Sequence, residues 1–485
     1  MLRVNWSCVC SPNYFMRPLE ILLLFITSLL LILTIFRPDL PHKFFLGAAA
    51  VLIIFLLSHL IIEGYRWQMA PIYFTAIGMT MAAILLLTTQ QPFSFSLITR
   101  GALALAGLAA LFLGLFFGTV LPITKLPAPT GPYKVGTTTF LLEDKDREEL
   151  YSTDPNDRRE FMVQLWYPID PDFSAEKSQY VGNLDIVGPA LADRLDLPRF
   201  LLGHLNLIKT NSLINAPLTL EGEQFPLILF SHGVMGIRMQ NTFMMEELAS
   251  NGYIVASPDH TYDAVFTVMP DERVIFHDAQ ALFPKDESRV TSGRRLIEVR
   301  KDDLSSIIDE MDRLNLDASS IFFNRIGLNK IGLAGHSAGG GTVLSSCLQE
   351  EFCDVVIALD SWVEPIIEDE LSNQLIVPAL YMNSAEWLGI DNREGGLALA
   401  FGASAPGIIV TIEGANHNDF TDIPLLSPMA RFLGLAGTIN SQKVHRIIND
   451  YSIAFLDHFL RGEAGTLDDL SLPKYPEAFV EFHEP

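Results

Sequence analysis

Gly335-His336-Ser337-Ala338-Gly339-Gly340 is the stretch of this chain whose residue types and spacing point most directly to chemistry. It has the G-x-S-x-G form of a nucleophile elbow, in which a tight strand-to-helix turn lifts a serine hydroxyl above a sheet edge. Glycines at 335, 339 and 340 suit that turn, because the serine backbone is strained and the following helix passes close to the strand. The N-terminus of that helix also favours the negative charge that forms on a substrate oxygen during acyl transfer. A serine hydroxyl is a poor nucleophile at neutral pH and needs an adjacent base. Four histidines follow Ser337. His445 and His458 fall inside an expected helix, where solvation is the expectation, and His483 falls in the tail. His417, in Glu413-Gly-Ala-Asn-His-Asn-Asp-Phe420, falls just beyond an expected strand, on a loop at the same sheet edge as the elbow. It is therefore the expected general base. Position alone leaves the acid open: Asp360 ends the strand that follows the nucleophile's helix, whereas Glu386 and Asp391 follow the next strand. The amide of Ala338 supplies one oxyanion donor. Val234, in the glycine-bracketed stretch Phe230-Ser-His-Gly-Val-Met-Gly236, is expected to supply the second.

These groups need a scaffold that brings distant segments to one edge. Pro226–Ser231 and Tyr253–Ser257 are short, continuous apolar runs, the mark of strands buried on both faces. Between them Asn241–Asn251 reads as a helix. The alternation continues with a helix near Leu296–Leu314, a strand at Lys330–Gly335, a helix over Ala338–Gln349, and strands at Val355–Asp360, Pro378–Met382 and Ile408–Glu413. Thr137–Leu142 and Phe161–Tyr167 predict an antiparallel start. A last helix, about Ser441–Leu460, places Val444, Ile447, Ile448, Tyr451, Phe455 and Phe459 near one face. Strand and helix in turn predict an α/β fold with a mostly parallel central sheet and helices on both faces.

The first quarter of the chain is of another kind. About 20 apolar residues in a helix span a bilayer core, and four such runs occur: Leu19–Phe36, Phe44–Ile62, Ala70–Thr88 and Gly101–Ile123. They are apolar all round, which a soluble helix is not, and three later runs exclude reading the first as a cleaved leader. They contain no interior acid or base beyond His59, which is expected near an interface. Leu121–Pro132 carries four prolines and reads as a stiff connector. The expected division is a transmembrane region over 1–124, a linker over 125–132 and a catalytic domain over 133–485. Residues 1–130 hold seven basic and three acidic residues, leaving 26 basic and 54 acidic in the remainder. So acidic a domain gains nothing from a phosphodiester backbone, and nucleic acid is not an expected partner. A multi-pass protein of a bacterial plasma membrane is expected. Arg3, Arg17, Arg66, Lys125 and Lys134 against Arg37, Lys43 and Arg100 place the acidic domain, by a small margin, on the cytoplasmic side. Four cysteines make no disulfide scaffold. No Cys/His cluster has metal-ligand spacing, so neither metal nor cofactor is expected.

With these pieces placed, the region after the linker resembles the plasma/type II platelet-activating factor acetylhydrolase family, a branch of the α/β-hydrolases that includes bacterial carboxylic ester hydrolases. The matching stretches are Gly131-Pro-Tyr-Lys-Val-Gly136, Phe230-Ser-His-Gly-Val234, Gly252-Tyr-Ile-Val-Ala256, Gly335-His-Ser-Ala-Gly-Gly340, Ala358-Leu-Asp-Ser-Trp362, Met382-Asn-Ser384 and His417-Asn-Asp-Phe420, in family order. The resemblance implies Ser337, Asp360 and His417 as a triad, with Val234 and Ala338 as oxyanion amides, and so favours Asp360 as the acid. It also implies calcium-independent hydrolysis of short or oxidised acyl chains on phospholipids, or of simple esters. Two features depart from it: the apolar first quarter, and Tyr262–Arg295, which reads as a lid or substrate-facing insertion. A lipid or small ester is the expected substrate. The rival readings are a lipase or polyester hydrolase of the same fold and a membrane sensor whose hydrolase domain only binds ligands.

Overall fold

A strand covered on both faces must be apolar at every position, and β5 (Phe225–Ser231) shows the result. Leu227 and Leu229 enter one core, while Ile228 and Phe230 enter the other. The computed structural model describes residues 16–37, 40–89, 96–222, 224–370, 374–387, 389–463 and 474–483; Arg3, Cys8 and Cys10 lie outside them. The chain forms two compact units. One comprises Met1–Lys125 with Leu191–Ile208 and Leu426–Met429; the other comprises Leu126–Ala190, Lys209–Leu425 and Ala430–Pro485.

In the second unit β5 belongs to a sheet with β1 (Lys134–Glu148), β2 (Arg158–Ile169), β3 (Lys177–Gln179), β4 (Lys209–Ile214), β6 (Ile254–Pro258), β9 (Ile326–His336), β10 (Val355–Leu359), β11 (Ala379–Ser384), β12 (Gly407–Ile412) and β13 (Ala478–His483). Strands β7 (Phe266–Val268) and β8 (Val274–Phe276) form a separate hairpin. The sheet order is β13-β12-β11-β10-β9-β5-β6-β2-β1-β4-β3. From β12 to β6 neighbouring strands run parallel. Strands β2, β1 and β13 join antiparallel. Helices α8 (Arg289–Leu316) and α9 (Ala338–Gln349) cover one face, and α6 (Thr242–Ser250) and α13 (Ser441–Phe459) the other; α5 (Leu184–Arg194), α10 (Glu364–Glu370), α11 (Ile390–Phe401) and α12 (Ile423–Leu426) fall in the connections between strands. This is the mostly parallel sheet, covered by helices on both faces, that the alternation predicts.

The spacing along α13 holds: Val444, Ile447, Ile448, Tyr451 and Phe455 are buried, and Phe459 packs at the edge of the same core. Asn440 caps it by accepting from the Lys443 amide. His445 corrects the expectation of a solvated imidazole. It is buried, stacks on Phe243 at 3.8 Å between ring centroids and lies 2.9 Å through Nε2 from the Thr421 carbonyl. Cys347, near the end of α9, and Cys353, just before β10, form a disulfide.

In the first unit α1 (Pro18–Phe36), α2 (His42–Ser58), α3 (Ala70–Thr89) and α4 (Leu97–Val120) are long and apolar enough to cross a membrane. A π-helical turn, His59–Glu63, extends α2. Here the sequence reading needs correction, because His59 is fully buried and so are Glu20 and Arg66. Isolated charges are costly in an apolar bundle, and these are paired. The Glu20 carboxylate meets Arg17 at 2.8 Å and Arg66 at 3.0 Å. His59 lies 2.9 Å from Glu63 and 2.6 Å from the Tyr73 hydroxyl. Arg66 also donates to the carbonyls of Gly118 and Leu121, and Arg17 to that of Gly64, satisfying helix ends. Glu20, His59 and Glu63 bring ligand-type atoms within 4.8 Å of one another. The two guanidiniums already on Glu20 oppose a further cation, so the cluster is an ion-pair network rather than a metal site. Trp67 packs on Phe200 and donates from Nε1 to the Leu201 carbonyl at 3.0 Å, tying Leu191–Ile208 into this unit.

Candidate active site

Ser337 sits between the end of β9 and the start of α9 with φ 57° and ψ −121°, a strained conformation for a residue with a side chain. Two hydrogen bonds hold it there: its amide donates to the Leu359 carbonyl at 3.0 Å, and its carbonyl accepts from Trp362 at 2.8 Å. A Cβ on Gly339 would run into the Ser231 carbonyl, and one on Gly340 into Ser361. The turn therefore needs glycine at both positions. Gly341 has the same requirement against the Trp362 carbonyl, and sequence reading passed over it.

Asp360 follows β10, fully buried. Its Oδ2 lies 2.7 Å from His417 Nδ1, while its Oδ1 accepts from the Ser384 amide at 2.7 Å and the Ser384 hydroxyl at 2.9 Å. Both carboxylate oxygens thus have hydrogen-bond partners. Of the three acids that position left open, Asp360 is the one that meets His417. Among the described residues neither Glu386 nor Asp391 bonds to that imidazole. His417 opens a short turn, His417–Phe420, capped by Asn416, and its side chain is 28% exposed while that of Asp360 is 0%. The imidazole can meet a substrate while its carboxylate partner stays dry. His336, next to Ser337, lies 3.1 Å through Nε2 from the His417 carbonyl, with the two rings 4.5 Å apart. Burial pushes the His336 imidazole well below its usual range, so it stays neutral and donates. Among the described residues no hydrogen bond joins Ser337 Oγ to the imidazole; such bonds are often long before a substrate binds.

The loop with Val234 runs against the elbow. A Cβ on Gly233 would stand 3.2 Å from Ser337 Cβ and 3.1 Å from His336 Nδ1, so this backbone approaches the serine as closely as glycine allows. Val234 and Ala338 share an apolar cluster with Tyr151, Leu282, Phe283 and Trp362. Leu282 and Phe283 come from the insertion Tyr262–Arg295, in and just after α7 (Ala279–Leu282), and Tyr262 joins them.

Sequence reading missed a buried polar network behind this loop. Ser231 Oγ lies 2.9 Å from His260 Nε2, and His260 Nδ1 lies 2.8 Å from Asp303 Oδ2. The bonding pattern copies that of a serine triad, but all three side chains are sealed from solvent. Burial pushes the His260 imidazole down to about 3, with Arg300 adding to the effect. The contact with Asp303 is therefore a hydrogen bond of a neutral ring, although its geometry also fits an ion pair. Asp303 stays ionised despite burial because Arg159 grips both its oxygens, at 2.9 and 2.6 Å. Arg300 donates to the His232 carbonyl at 2.5 Å and pairs with Asp263. His232 Nε2 accepts from the His260 amide at 3.1 Å. The peptide that leads into Gly233 and Val234 is thereby fixed from behind. A signal was present in the sequence, since Arg300 and Asp303 fall on the same helical stripe as Leu296, Leu304 and Ile307, where a charge requires a buried partner.

Residues 119–290 and 299–468 match the model of the family described as platelet-activating factor acetylhydrolase, isoform II. Among curated proteins, the chain is 27% identical over 362 residues to the platelet-activating factor acetylhydrolase of Cavia porcellus, covering 70% of this chain and 78% of that one. It is 26% identical to that of Gallus gallus, covering 69% and 84%. A probable 1-alkyl-2-acetylglycerophosphocholine esterase of Arthroderma benhamiae is 25% identical over 46% of this chain and 56% of its own length. Among solved structures, a ferulic acid esterase from Streptomyces cinnamoneus superposes with a TM-score of 0.58 at 26% identity, covering 74% of this chain and 98% of that one.

Proposed function

Because this chain belongs to the platelet-activating factor acetylhydrolase isoform II family, we propose that it is an ester hydrolase that cleaves short or oxidised acyl chains from phospholipids through an acyl-enzyme on Ser337. The observation that carries this reading is the 2.7 Å contact of His417 with buried Asp360, on the loop that packs beside the elbow. Ser337 Oγ attacks the ester carbonyl carbon, and His417 Nε2 takes its proton. Asp360 holds the ring through Nδ1 and stabilises the imidazolium. The amides of Val234 and Ala338 receive the oxyanion. As the carbonyl re-forms, the bond to the leaving alcohol breaks and the alcohol takes the proton from His417. Water then attacks the acyl-enzyme by the same route, returning Ser337.

Leu282, Phe283 and Trp362 beside Ala338 and Val234 support an acyl site closed by aromatic bulk, which suits short chains better than long ones. In vesicles carrying phosphatidylcholines that differ only at sn-2, turnover is expected to be fast for acetyl and butyroyl chains and to fall by orders of magnitude at palmitoyl. A flat profile would favour a lipase instead.

We place the chain in a plasma membrane through α1–α4, the helices long and apolar enough to cross it. The Cys347–Cys353 disulfide supports a catalytic unit on the oxidising side, because such bonds rarely persist in a cytosol. This reading departs from the small charge-based margin for the cytoplasmic side. Two of the five residues behind that margin, Arg17 and Arg66, are engaged with Glu20 inside the bundle.

A further inference from the structure

Small residues between the four helices leave a half-open cavity of about 790 Å³, with the exposed Phe74 and Leu103 in its wall. Its wall includes Leu30 and Ile35 of α1, Ala49 of α2, Gly78 and Ala83 of α3, and Ala106 of α4. A side chain on Gly78 would meet nothing within 4 Å. The space therefore follows from the choice of residues and not from a helix backbone held away by strain. At the end of the bundle where α1 begins and α4 finishes, Leu23, Met69, Ile72 and Leu111 pack tightly and the Glu20 network closes the gap. The cavity lies towards the other end. Its size falls in the range of roughly 300–1,000 Å³ usual for ligand sites. Water needs polar partners, which this wall offers sparingly, and unfilled space beside apolar side chains forfeits dispersion contacts. Hydrocarbon is the filling that a membrane supplies.

Arg100 also lines the cavity, one turn into α4 and partly exposed. The bundle's other two arginines among the described residues of α1–α4 and their flanks that face inward, Arg17 and Arg66, are both paired with Glu20. For Arg100 no carboxylate partner exists among the described residues. A guanidinium at the rim of an apolar chamber matches a phosphate whose chain lies inside, in charge and in hydrogen-bond geometry. The first turn of α4, whose N-cap is Ser96, adds partial positive charge beside it. We propose that the bundle holds one anionic bilayer phospholipid, with an acyl chain in this cavity and its phosphate on Arg100. The family match begins only at residue 119, so this site is independent of the hydrolytic reading.

The test is native mass spectrometry of the full-length chain, washed in detergent and then given phosphatidylglycerol and phosphatidylcholine with identical acyl chains at equal concentration. Ser337→Ala is included throughout to prevent turnover. One phosphatidylglycerol per chain is expected, favoured by about tenfold over phosphatidylcholine, whose choline cation offsets the phosphate charge that Arg100 meets. Arg100→Gln should abolish that preference while one lipid of either kind is still retained. Gly78→Leu should reduce retention of both. Arg100 is partly exposed at the rim, so a folded Arg100→Gln decides the matter even where Gly78→Leu fails to fold. Equal retention of the two lipids by the Arg100 protein would overturn the proposal, as would an undiminished preference in Arg100→Gln or full retention in a folded Gly78→Leu.

Discussion

The proposed reactivity depends on which polar residues are reachable, since among the described residues two serine–histidine–aspartate groupings are present and one of them is sealed. Ser337, Asp360 and His417 were legible because an elbow motif, a strand end and a loop histidine are local features of sequence. Position left the acid open and the resemblance favoured Asp360; the fold sets Asp360, and not Glu386 or Asp391, against His417. The Ser231–His260–Asp303 grouping was not legible, because its members come from three elements and are joined only by packing. It packs behind the His232 peptide, with the His260 amide on His232 Nε2 and Arg300 on the His232 carbonyl, and we propose that together they hold the amide of Val234 in place. Arg300→Lys keeps the charge but loses the planar fork that reaches both Asp263 and His232. Steady-state kinetics of that variant on a soluble ester should show kcat reduced by roughly 10²-fold, the scale of a displaced oxyanion donor, with KM little changed. A loss confined to KM, or none, would remove the network from catalysis.

At the scale of elements, apolar runs and periodicity located the central strands and α13 with few errors, since burial on both faces or on one stripe leaves a strong pattern. The short pieces, β3, β4, the β7–β8 hairpin and β13, escaped because pairing with neighbours, and not their own composition, makes them strands. His445 escaped for a related reason: a polar residue in an amphipathic helix reads as exposed, yet here it stacks on Phe243 in the core. Burial pushes its imidazole down to about 4, below the ordinary value of about 6.5. Between these values the unfolded chain binds a proton that the folded chain does not. The stability His445 contributes is thus present above about pH 6.5 and lost as pH falls towards 4. Relative to His445→Phe, which has no such proton, the wild-type protein should lose about 1.4 kcal/mol per pH unit across that window. Denaturant titrations of both proteins at several pH values would show it. A difference independent of pH would mean that the imidazole is protonated in place.

For the whole molecule, the division into an apolar bundle and an acidic hydrolase unit follows from composition. The buried ion pairs of the bundle did not, because Glu20 and Arg66 sit at helix ends, where charges ordinarily face headgroups. The inclusion of Leu191–Ile208 in the bundle's unit was equally invisible, since nothing in that segment marks what it packs against. The disulfide bears on orientation. In right-side-out cells an external protease should cut within the hydrolase unit, and Cys347 and Cys353 in denatured samples should accept a maleimide only after reduction. Protection from the protease together with freely reactive thiols would put the unit in the cytosol. The proposed reaction rests on one hydroxyl and is tested most directly by the turnover of purified Ser337→Ala on an acetyl phospholipid. Activity should fall by about 10⁶-fold, as where a triad acts as a unit, with the protein still folded. A folded variant that retained activity within about tenfold of the wild type would contradict the acyl-enzyme mechanism.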